Sequence, residues 1–161
     1  MKYFTQHWHR GDMTDEESDA IVAAYTDYRT ALLPKMPPAV QELAIAINIH
    51  DGLIETAVFE LAAQHLRLEL LVGDLQEGYA SIHLCYSSAL FEIATLKEIA
   101  CDSESEALYD EIDVQPDGRF EHRVLFWPYR EISISFTSLA VTRVPRPDRK
   151  RVDIPVRFIE R

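Results

Sequence analysis

Residues 65–87, "HLRLELLVGDLQEGYASIHLCYS", decide the fold class of this chain. Leu66, Leu68, Leu70 and Val72 alternate with Arg67 and Glu69, and Ile82, Leu84 and Tyr86 resume the alternation after a break. A period of two sends successive side chains to opposite faces of an extended backbone, so each run reads as a strand with one buried face. The break "GDLQEG", residues 73–78, has glycine at both corners and joins the two strands as a hairpin.

Downstream, "REISISF" (130–136) turns Ile132, Ile134 and Phe136 inward and Glu131, Ser133 and Ser135 toward water. "QPDGRF" (115–120) reads as a turn between "ALYDEIDV" and "HRVLFW", because Asp-Gly supplies the backbone that tight hairpins require. The tail "RVDIPVRFI" (151–159) alternates as well, but Pro155 lacks an N–H, so an edge strand or extended arm is expected there.

Upstream of residue 53 the period is helical. In "TDEESDAIVAAYTDYRTALL" (14–33), Thr14 and Glu17 have capping-box spacing, and Ile21, Tyr25, Tyr28 and Leu32 form one apolar face before Pro34 ends it. In "PPAVQELAIAIN" (37–48), Pro38 suits the first helical position and Val40, Leu43, Ala44 and Ile47 make the stripe. The expectation is an α+β fold: two N-terminal helices followed by a largely antiparallel sheet or half-barrel of six to eight strands. As one domain over 1–161 it divides into a helical part (1–48), the sheet (53–144) and a basic arm or edge strand (145–161).

The 161 residues carry a formal net charge of −11. Residues 98–121 hold nine acids against Arg119, whereas residues 143–161 hold seven Lys and Arg against three acids. An anionic body repels phosphate backbones, so no nucleic-acid partner is expected. The basic tail is expected to complement the acidic stretch or to stay solvated. The longest apolar run, "LAIAINI", is too short to cross a membrane, and no membrane association is expected. "MKYFTQHWHRGD" has no apolar h-region, so a cytoplasmic chain with Cys85 and Cys101 reduced is expected.

Candidate chemistry gathers in "INIHDGLIE" (47–55), where His50, Asp51 and Glu55 lie close in sequence. His50 oriented by Asp51 could act as a base, with His122 from a distant strand as a third member. The competing reading is a helix-to-strand corner in which Asn48 or Gly52 takes the left-handed conformation and Asp51 bonds backbone N–H groups. "HWH" would put His7 and His9 on one side of a strand as metal ligands, or as exposed histidines flanking a buried Trp8. Neither cysteine has the cationic surroundings of a reactive thiolate. The chain has no nucleophile elbow, P-loop, dinucleotide fingerprint, zincin, Cys-x-x-Cys or EF-hand pattern, and no cofactor is expected.

"MKYFT", "LLPKMPPAV", "NIHDGLI" and "EISISFTSLAV" together resemble an uncharacterised family of small bacterial cytoplasmic proteins, a domain of unknown function. The HD corner followed by strand pairs is also similar to some immunity proteins of bacterial toxin systems. The resemblance implies N-terminal helices on an antiparallel sheet and assigns no catalytic residue. The functional expectation is a non-enzymatic protein-binding module, immunity-type, that meets a cationic partner through Glu104, Glu106, Asp110, Glu111 and Asp113. The alternative is a small hydrolase or metal-dependent enzyme using His50 and Asp51. Self-association through the flat strand "REISISF" is a third expectation.

Overall fold

The computed structural model describes residues 1–147, 149 and 158–161. The first helical turn, α1 (Gln6–His9), is capped by the Thr5 hydroxyl, which accepts from the Trp8 N–H. Helix α2 (Asp15–Leu32) begins with the expected capping box, with Thr14 and Glu17 each satisfying the other's backbone N–H. Tyr25 and Leu32 of its stripe are buried. The helix gives way to a 3₁₀ turn (Leu33–Lys35) at Pro34, and α3 (Pro38–Ile45) follows with Pro38 at its first position.

The extended part is β1 (Leu53–Glu60), β2 (His65–Asp74), β3 (Gly78–Ser87), α4 (Ile93–Cys101), β4 (Ala107–Val114), β5 (Phe120–Phe126), β6 (Arg130–Phe136), β7 (Ser138–Pro145) and β8 (Phe158–Glu160). The fold is α+β, with two differences from the expected one. The helices are not confined to the N-terminus, because α4 separates β3 from β4. The strands form two sheets, neither closed: a five-stranded sheet A in the order β7-β3-β2-β1-β8, and a three-stranded sheet B in the order β4-β5-β6. Among the described residues all strand pairings are antiparallel except β1 with β8.

The two sheets face each other across a shared core. Leu66, Leu68 and Leu70, with Ile82, Leu84 and Tyr86, come from sheet A; Ile112, Val124, Ile132, Ile134 and Phe136 come from sheet B. Burying each such side chain stabilises by about 1.5–3 kcal/mol. Helix α4 joins the same cluster through Leu96, Ile99 and Ala100, bridging β6 and β1, and α3 packs on β7.

Each sheet also has an outer face, and both are partly covered. On sheet A a bulge at Glu55 interrupts the β1–β2 register. This glutamate is buried and takes Arg149 Nε and Nη2 at 3.0 and 2.7 Å, with Ser81 Oγ at 3.1 Å. Arg146 reaches Ser81 Oγ at 2.6 Å and Glu69 at 3.5 Å. The described part of the basic tail therefore pairs with carboxylates of sheet A and not with the acidic stretch. An edge strand was expected in the tail, and Phe158–Glu160 supplies one as β8; Pro155 lies outside the described residues. On sheet B, β6 is an edge strand, but Leu90 exchanges two backbone hydrogen bonds with Ser135 at 2.8 and 2.9 Å and occupies part of that edge.

Candidate functional site

The alternation in β4 sends Tyr109, Glu111 and Asp113 to the outer face of sheet B, opposite Leu125, Arg123 and Glu121 of β5. Glu111 and Asp113 are buried there, at 1% and 3% exposure, so neither offers the partner surface expected of it. The Glu111 carboxylate accepts the successive backbone N–H groups of Lys2, Tyr3 and Phe4 at 2.8, 2.7 and 2.8 Å. Asp113 accepts from Lys2 Nζ, the Tyr28 hydroxyl, Arg123 Nη2 and its neighbour's N–H. Burial opposes ionisation of Asp113, but these donors outweigh it and hold its carboxyl well below the usual range. Burial, with the bond to Asp113, pushes Tyr28 up to about 12. Glu104 is exposed and Glu106 half-buried, on the approach to β4.

Asp110 belongs to the opposite, inner row of β4, because the bulge at Leu108 sets the phase of the strand. Its Oδ2 lies 3.2 Å from Nε2 of His122, whose Nδ1 lies 2.7 Å from the Tyr86 hydroxyl. Burial keeps the Tyr86 phenol protonated, so with the imidazole proton on Nε2 the network runs Tyr86 O–H to Nδ1 and Nε2–H to Asp110. His122 is fully buried and both nitrogens are engaged, which leaves no lone pair for an incoming substrate. It joins Asp110, and no contact brings it to His50.

The corner at residues 48–52 is built differently from the expected one. Asp51 takes the left-handed conformation, with φ 58°, and its backbone N–H donates to Ala107 O at 2.7 Å. The side-chain cap comes from Asn48, whose Oδ1 accepts the His50 N–H at 3.0 Å. Gly52 is required for space: a Cβ there would lie 2.7 Å from Ile49 O and 3.2 Å from Val72 Cγ1. The Asp51 carboxylate instead meets His50 Nδ1 at 3.0 Å, with both side chains about half exposed. The His50 ring stands edge-on to Tyr109.

His7 and His9 fall in α1, a helical turn and not a strand, so positions two apart diverge by about 200°. His7 faces Asp12 at 3.7 Å, whereas His9 packs on Tyr109 and Tyr129. They do not form a ligand pair. Among the described residues no group of three or more His, Cys, Asp or Glu could hold a metal ion.

The structure does bring one set of residues together. A cleft of about 400 Å³ opens between α2, α3 and β4, with Tyr25, Leu43, His50 and Asp110 in its lining. Phe4, Tyr25 and Tyr109 form a continuous aromatic wall, with Phe4 centroids 5.0 and 5.5 Å from the other two. Val22 and Ile45 line the same cleft while remaining 42% and 59% exposed. Neither lies on the apolar stripe of its helix. An apolar side chain off the buried face is the signal in the sequence, and of this lining only Asp110 and His50 are expected from the sequence as site residues.

Comparison with family models, curated proteins and solved structures gives no match.

Proposed function

We propose that this chain is a non-enzymatic protein-binding module of the immunity type, which meets a cationic partner through an acidic surface. The observation that carries this reading is the exposed face of α2. Asp15, Glu16, Asp19 and Asp27 are all exposed on it, while its one basic residue, Arg29, turns inward and donates to Ala44 O at 2.9 Å. The acidic surface thus runs along α2, with Glu104 beyond it, and leaves out the buried Glu111 and Asp113. A net charge of −11 reinforces long-range attraction of a cation.

The test is capture of partners from the native host with wild type and with an Asp19→Lys/Asp27→Lys variant. It is run at about 0.01 M salt, where the screening length is about 30 Å, and at about 0.15 M, where it is about 8 Å. A cationic protein retained at low salt, weakened at high salt and lost with the variant is expected. Retention indifferent to both changes would sink the reading.

A second reading, a small hydrolase or metal-dependent enzyme, is favoured only by the His50–Asp51 contact. It requires activity in an esterase and phosphatase panel that His50→Ala abolishes without altering the melting temperature.

A further inference from the structure

We propose that the cleft between α2, α3 and β4 is the docking site for a basic segment of the partner, seating one lysine or arginine side chain along Val22 and Ile45 with its charge at Asp110. This rests on the reading of the chain as a module for a cationic protein and names where that protein binds.

Three features of the cleft converge on such a side chain. Two exposed residues of its lining are aliphatic. Val22 on α2 and Ile45 on α3 are exposed singly, which alone means little, but they line one concavity of about 400 Å³, within the range of side-chain and ligand pockets. Three aromatic rings line it, with Phe4 against Tyr25 and Tyr109 and His50 at 5.4 Å from the Tyr109 centroid. Ring faces attract cations, and the cleft already displays this: the Arg29 guanidinium sits 5.5 Å from the Tyr25 centroid.

The charge is negative where it counts. Asp110 is anchored through Oδ2 to buried His122, and its side chain keeps 24% exposure in the cleft lining. Asp19 and Glu42, both exposed, lie three residues before Val22 and Ile45 on their helices and extend the acidic border. Arg29, the cation within, is held by Ala44 O and Tyr25. A long side chain with an aliphatic stem and a cationic head matches this combination of surfaces. A bare metal ion does not, since one carboxylate is a poor cage.

The experiment titrates the isotope-labelled full chain with a short Gly-Leu-Lys repeat peptide and with its Gly-Leu-Glu counterpart, at low salt. Amide shifts at Val22, Thr26, Ile45, Asn48 and Asp110 with the lysine peptide alone are expected. Ile45→Lys, a change at an exposed position, should weaken binding at least tenfold with no change in melting temperature. Asp110→Asn keeps an acceptor for His122 and should weaken binding similarly. Shifts confined to Glu16, Asp27 and the outer side of α2 would overturn the cleft and leave the acidic-surface reading standing. Undiminished binding by Ile45→Lys would also overturn it. No shift at any residue would overturn both.

Discussion

At Asp51 and Gly52 two adjacent residues exchange the roles that their types suggest. The aspartate carries the positive φ, and the glycine carries the close approach of Ile49 O. Glycine adopts the left-handed conformation without the steric cost of a Cβ. Asp51→Gly should therefore leave stability unchanged or raise it by up to about 1 kcal/mol. Gly52→Ala forces a methyl against a carbonyl oxygen and should lower stability by about 1–3 kcal/mol. Urea unfolding of the two variants checks both, and a loss with Asp51→Gly would show that the His50–Asp51 contact stabilises the corner. The second residue-scale prediction concerns Asp113. Its carboxyl is depressed in the folded state, so its contribution is complete above the unfolded value of about 4 and is lost as pH falls through the folded one. Asp102, held down by Arg130, adds in the same direction. The melting temperature should fall on acidification below about pH 4, and Asp113→Asn should flatten that limb.

At the scale of elements, the strands that were legible are those with one wet face. β2 alternates over His65–Leu70, β3 over Ile82–Ser87 and β6 over Glu131–Phe136, where the residues between the core positions are exposed or half-buried. β5 is buried almost throughout, since the N-terminal segment covers the outer side of its sheet, and its period is accordingly blurred. Helix α4 was hidden by acids at its ends, although Ile93, Leu96, Ile99 and Ala100 keep helical spacing. The division into two sheets was not legible, because which strands share a sheet depends on pairings such as β3 with β7, more than fifty residues apart. Glu111 and Asp113 are buried where the sequence suggests an exposed surface, because runs of charge usually face solvent. The correction was nonetheless available in the sequence. A hairpin turning at Asp117-Gly118 sets Glu111 opposite Arg123, and two acids sharing a face with an arginine can be buried as a network. Glu111→Ala would leave three successive backbone N–H groups and Arg123 short of an acceptor. A loss on the order of 3 kcal/mol is expected, measured by urea unfolding.

For the whole molecule, both outer sheet faces are engaged by segments distant in sequence. Residues 2–4 are tied to Glu111 and Asp113 on sheet B, and Arg146 and Arg149 to Glu55 on sheet A. Each tie places a buried carboxylate under a charged or backbone donor, and a partner removed from such a pair leaves an uncompensated charge. The two ties lie on opposite sides of the shared core, so their loss should be felt locally. Arg149→Ala leaves Glu55 with Arg146 at 3.6 Å, and the expected loss is roughly 1–3 kcal/mol. Hydrogen exchange should accelerate at Phe158–Glu160 and at the paired Ala57, Val58 and Phe59, while β4 and β5 keep their protection. Glu111→Ala should do the reverse, releasing residues 2–4 and the outer row of β4. Exchange that rose evenly across both sheets in either variant would show that the ties belong to the global cooperative unit, and that covering the two faces is inseparable from forming the core.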